Sequence, residues 1–138
     1  MRGREFLRLS SLLATTPEEA AIRTRTSRAY YAAYLEARTF CEREFGYIRV
    51  KQSREHQDVP NLLRPLAPDI VGHLTFLRNL RNIADYDLDV STATVRGSAL
   101  QAELLAHEVV ASLDSHGERL ERERAEAAPT MGPDDPAS

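Results

Sequence analysis

An all-α fold, a bundle of about five helices, is what this chain predicts. Three observations lead there. Apolar residues recur at helical spacing through most of the chain, Val and Ile are sparse with no strict period-two alternation, and no Asn-Gly or Asp-Gly hairpin turn occurs. With 138 residues the chain is long enough to bury a real core, and one domain is expected over residues 1–127.

The first helix is expected over about residues 3–14, with Phe6, Leu9 and Leu13 on one face. Thr16, Pro17, Glu18 and Glu19 form a start signal, with Thr16 as N-cap and Pro17 in the first helical position. The second helix then runs to about Glu44 and stops before Gly46. Tyr30, Ala33, Tyr34, Ala37 and Cys41 line its inner stripe, and Ala29, Ala32, Ala33 and Ala37 let another helix come close. Ser53 is a candidate cap for a third segment, which Pro60 and Pro65 are expected to break or kink. A fourth helix covers about residues 68–85, opening at Pro68-Asp69. Ser91 or Thr92 caps a fifth, whose buried stripe is Ala99, Ala102, Leu105, Ala106, Val109 and Leu113. That helix continues into the charge run from Glu118 to Arg124, a solvated end with Glu118 and Arg122 paired four residues apart. Residues 128–138, with three Pro and Gly132, read as a disordered tail. The second helix pairs antiparallel with the fifth or the fourth.

Composition narrows the function classes. Hydrophobic residues are 42% and charged residues 28%, the balance of a soluble domain. No run reaches the roughly 18 apolar residues of a membrane span, and the first residues hold no apolar signal core, so a cytoplasmic protein is expected. The single cysteine, Cys41, permits no internal disulfide and falls on an apolar face, as a buried structural thiol. His56, His73, His107 and His116 show no zinc-ligand spacing, and no metal or cofactor is implied. Charge is uneven: residues 1–54 carry ten Arg, one Lys and six acids, whereas residues 55–138 carry seven Arg and fifteen acids. Either the basic half faces nucleic acid or an acidic partner, or the halves attract each other within the fold or across a dimer.

The stretch from Leu77 to Asp87 looks built for chemistry. Arg78, Arg81, Asn82 and Asp85 share one flank of the fourth helix, Leu77, Ala84, Leu80, Phe76 and Ile83 share the opposite, apolar one, and Tyr86 lies at the end. Arginine's planar fork suits phosphate, which makes Arg81, central on that flank, the expected gripping residue. Core packing accounts for Tyr30, Tyr31 and Tyr34, although a buried hydroxyl needs a partner and one of them can reach the polar flank.

Four pieces in order resemble the HEPN superfamily of small helical bundles. They are Phe6-Leu7, the string Ser27-Arg28-Ala29-Tyr30-Tyr31-Ala32-Ala33-Tyr34, His56 after the connecting loop, and Leu77 to Asp87 with its Arg-Asn-x-Ala-Asp-Tyr motif. The resemblance covers about residues 4–115. It implies a homodimer in which the polar helices meet at a shared cleft. It implies a toxin–antitoxin or phage-defence role, as a metal-independent ribonuclease or as partner of a small nucleotidyltransferase. The family's ribonuclease signature is Arg, often followed by Asn, then a short spacer and His. Here Tyr86 stands where that His falls. Metal-free RNA cleavage needs proton-transfer groups near neutrality, and tyrosine, at about 10, is a poor one unless nearby Arg charges lower it. The resemblance therefore leaves three expectations. In the first, Arg81 holds the scissile phosphate, Asp85 or Tyr86 handles a proton, and His56 supplies an imidazole if the third segment folds over the cleft. In the second, Arg78, Asn82, Arg28 and His56 help a non-catalytic subunit hold RNA or a nucleotide beside a nucleotidyltransferase or antitoxin partner. In the third, the Arg cluster is an intersubunit ion-pair network.

Overall fold

A computed structural model describes residues 1–50 and 54–129. Among them every regular element is helical: α1 (Glu5–Leu12), a 3-10 turn (Leu13–Thr15), α2 (Glu19–Phe45), α3 (Glu55–Leu63), α4 (Pro68–Tyr86) and α5 (Thr92–Ala127). Helix α2 is the axis, and α1, α3, α4 and α5 all pack on it. Its expected inner stripe is buried throughout, and Ala29, Ala32, Ala33 and Ala37 have no exposed surface. Ala99, Ala102 and Ala106 of α5 are equally buried, so small residues on both helices allow close approach.

Polar ties fix the directions. Arg25 binds Glu103, Arg4 bridges Glu36 and Asp114, and Glu44 binds Arg124, so α2 and α5 run parallel. The antiparallel partner of α2 is α4, whose C-terminal end meets Arg23 while its middle meets Tyr31. Three of these bridges, Arg4–Asp114, Arg25–Glu103 and Arg124–Glu44, join the basic half of the chain to the acidic half within one fold.

Several boundaries follow the local chemistry. Gly46 ends α2 at φ 66°, a left-handed conformation that glycine adopts without strain. Pro68 opens α4, and Ser91 caps α5 by accepting the Thr94 N–H at 3.3 Å. Others correct the sequence reading. Helix α1 is shorter than expected and buries Leu7 and Ser10, leaving Leu9 exposed and Phe6 and Leu13 half-buried. Ser10 turns inward because its hydroxyl lies 2.6 Å from Glu103 and 3.1 Å from the Arg25 carbonyl. Thr16 is not the cap of α2: it closes the 3-10 turn, and Glu18 in extended conformation precedes the first turn. Pro60 does not break α3, which runs through it to Leu63; a proline there removes only the bond to the His56 carbonyl. Ser53 lies outside the described residues, as does the expected tail beyond Pro129. In α5, Leu105 is only half-buried, and the charge run pairs Arg119 with Glu123 and Arg124 with Glu44 in place of Glu118 with Arg122.

Gly3, just before α1, is a point of close approach. A Cβ there would lie 2.8 Å from both the Glu36 backbone nitrogen and Leu35 Cβ, and 3.1 Å from the Ala32 carbonyl oxygen. Backbone of α2 cannot yield, so Gly3→Ala is expected to cost about 1–3 kcal/mol, the usual range for overpacking. Thermal unfolding followed by circular dichroism checks this; an unchanged midpoint would contradict the contact.

Candidate functional site

Three elements converge on a half-open cavity of about 170 Å³. Buried Tyr30 and Tyr34 of α2 and Leu74 of α4 line it, with Pro60 and His56 from α3. One face of α4 supplies Thr75, Arg78, Asn79 and Asn82, spaced so that successive side chains stand above one another. The volume is on the scale of the roughly 150 Å³ cavity that holds one benzene ring, so a single small group fits. No carboxylate lines it.

Internal hydrogen bonds set the polarity of these walls. The Tyr30 hydroxyl lies 2.7 Å from His56 Nδ1. The hydroxyl donates in that bond when the imidazole proton is on Nε2, the tautomer that turns an N–H toward other partners, and accepts when it is on Nδ1. Burial pushes the Tyr30 hydroxyl up to about 12, against the opposing charges of Arg78 and Arg81. Burial, then the same two arginines, hold the His56 imidazole below its ordinary value, with Glu55 acting the other way. Glu55 is engaged elsewhere: it accepts from Tyr34 at 3.3 Å and from Arg38 at 3.2 Å. Tyr34 packs against His56 with ring centroids 4.7 Å apart and the planes tilted by 30°.

Arg81 lies behind this wall. Its Nη1 donates to Asn82 Oδ1 at 3.0 Å and its Nη2 to the Tyr31 hydroxyl at 2.9 Å. Nε is 3.2 Å from Asp85 Oδ2, yet the buried N–H makes no aligned hydrogen bond, so charge alone holds that pair. The guanidinium carbon sits within 6 Å of three ring centroids: Tyr31 at 5.4 Å, Tyr30 at 5.7 Å and Tyr86 at 5.9 Å. With Oδ1 of Asn82 occupied, the amide presents its NH2 as the free end.

The expected site residues thus divide. Arg78, Asn82 and His56 line the cavity together, so α3 does bring an imidazole to the polar flank of α4. Arg81 stands outside the lining and holds Asn82 from behind. Asp85 and Tyr86 lie outside the cavity, Tyr86 being 73% exposed. Arg28 lies apart, over the rings of Phe6 and Tyr31 at 5.5 and 5.6 Å. Thr75 and Asn79 were missed, although a step of three or four residues back along α4 from Arg78 and Asn82 reaches them. Arg23 was missed as well. Its Nη1 donates to the carbonyls of Ala84 and Asp87, each at 2.9 Å, and to that of Ile83 at 3.3 Å; Nη2 donates to the Val90 carbonyl at 3.3 Å. A cation there satisfies the open carbonyls at the end of α4 and suits the negative end of its dipole. Its pairing with Glu19 one turn earlier, at 2.8 Å, is a local signal, but the contacts that tie it to α4 are backbone atoms some sixty residues away.

Cys41 is buried, and burial pushes its thiol up to about 12, which keeps it protonated. Among the described residues no group of three or more His, Cys, Asp or Glu side chains is arranged to hold a metal ion. Comparison with protein-family models, with known proteins and with solved structures finds no match to the chain.

The His56 environment makes stability depend on pH. The fold favours the neutral ring, so its contribution is fully present above the unfolded value of about 6.5 and is lost as pH falls through the lower folded value. Denaturant unfolding between pH 7.5 and 5 should show a loss of stability that His56→Gln reduces. Parallel profiles for the two proteins would contradict the environment described.

Proposed function

We propose that the chain is a HEPN-type protein of a toxin–antitoxin or phage-defence system whose pocket holds a phosphate group of RNA or of a nucleotide. One observation carries the reading: Arg78 stands in a carboxylate-free cavity beside Asn82, whose carbonyl oxygen is taken by Arg81, and His56, whose Nδ1 is taken by Tyr30. A phosphate there accepts from the Arg78 fork, from the Asn82 NH2 and from His56 Nε2–H. Arg81 then acts as a positioning residue, since it stands outside the lining and its two terminal nitrogens hold Asn82 and Tyr31.

Metal-independent RNA cleavage is a second reading, favoured by the imidazole beside Arg78. Attack of a 2′-hydroxyl on phosphorus needs a base for its proton and an acid for the leaving 5′-oxygen. His56 serves as base only in the tautomer with its proton on Nδ1, and Tyr30, at about 12, is a weak acid. Binding is the better supported function, as a partner subunit of a nucleotidyltransferase or antitoxin. A homodimer is part of the proposal, supported by Phe76, Ile83, Tyr86 and Leu88, exposed along and just beyond α4. It would weigh twice the 15.5 kDa of one chain in light scattering.

Fluorescence anisotropy with a short labelled single-stranded RNA, in buffer containing EDTA, tests the site. Arg78→Ala should weaken binding by roughly tenfold or more while leaving thermal stability nearly unchanged. Arg81→Ala should lower both, because it also releases three tyrosine rings. Unchanged RNA binding in a folded Arg78→Ala protein would refute the phosphate reading.

A further inference from the structure

The cavity wall is not uniformly a donor surface. Arg78, the Asn82 NH2 and His56 Nε2–H donate, but Thr75 does the reverse. Its hydroxyl spends its only hydrogen on the Val71 carbonyl, at 3.0 Å, in the back-bonding geometry common for Thr in helices. What Thr75 offers the cavity is therefore lone pairs. It lies one turn of α4 before Arg78, on the same face, where side chains three residues apart stand about 5–6 Å from one another. A ligand that satisfies both positions carries an anionic acceptor at Arg78 and a hydrogen donor one turn away at Thr75.

We infer that the pocket recognises a phosphate ester bearing a free hydroxyl on the neighbouring carbon, with Thr75 Oγ1 accepting that hydroxyl's hydrogen. This rests on the phosphate reading of the pocket. The same chemistry occurs in a ribonucleotide 3′-phosphate beside its 2′-hydroxyl and in a polyol phosphate. An unprotonated phosphate bound without such a hydroxyl leaves Thr75 facing the ligand with no donor to accept from. Thr75 thereby becomes the residue that sets specificity, distinct from the residues that set affinity for phosphate.

Isothermal titration calorimetry on the full chain with two matched pairs tests this. The first pair is adenosine 3′-monophosphate and its 2′-deoxy counterpart; the second is 2-hydroxypropyl phosphate and propyl phosphate. The hydroxyl-bearing member of at least one pair should bind about three- to tenfold more tightly, the worth of one hydrogen bond. A preference within the first pair alone identifies a ribonucleotide source; a preference within the second identifies the shared chemistry without a base. Thr75→Val keeps the shape and removes the acceptor, so it should abolish the preference in whichever pair shows it. Thr75→Ser should retain the preference. Equal affinities within both pairs for the wild type, or a preference that survives in Thr75→Val, would overturn the assignment while leaving the phosphate reading intact. Absence of binding by all four esters and by inorganic phosphate would overturn both together.

Discussion

Helix α2 is enclosed by the rest of the bundle and yet carries Arg23, Arg25 and Glu36, each less than 9% exposed. Charges taken out of water need partners, and leaving one unpaired costs several kcal/mol. Each of these three reaches a different element. Arg23, paired with Glu19 of its own helix at 2.8 Å, also takes the carbonyl end of α4, Arg25 takes Glu103 of α5 with two bonds at 3.1 and 2.7 Å, and Glu36 takes Arg4 ahead of α1. The compensation of buried charge on one helix therefore fixes the placement of three others. Apolar packing supplies the general attraction, and the ion pairs choose the register in which it is satisfied.

The pocket follows from that register. Arg23 holds the last turn of α4 and the start of the connection to α5, which places Arg81 against Tyr30 and Tyr31. Arg81 in turn orients Asn82, and Tyr30 orients His56. Two of the groups facing the cavity are thus held in place, Asn82 by a residue outside the lining and His56 by a second lining residue. Such support limits the rotamer freedom lost when a ligand arrives, which favours affinity.

Much of this was legible in the sequence. The periodic stripes of α2, α4 and α5 give the helices, and Gly46, Pro68 and Ser91 mark ends with their own backbone chemistry. Local signals failed where distant atoms decided. Ser10 looks like a surface residue until Glu103 is brought beside it, and Thr16 looks like a cap until the chain turns before α2. The polar flank of α4 was visible, but Arg78 and Arg81 are three residues apart and periodicity cannot say which faces a cavity and which faces three tyrosines. His56 was identifiable only through resemblance, since nothing in its neighbourhood of the chain links it to α4.

The tyrosine arrangement has an optical side. The chain has no Trp and five Tyr, so its intrinsic emission is tyrosine emission alone. Tyr30 and Tyr34 line the cavity, and Tyr30, Tyr31 and Tyr86 surround Arg81; only Tyr47 lies outside this group. Near-ultraviolet signals that in most proteins average over the whole molecule are here concentrated at one place. The protein carries its own spectroscopic label at its candidate site, and occupancy of the cavity can be followed without attaching one.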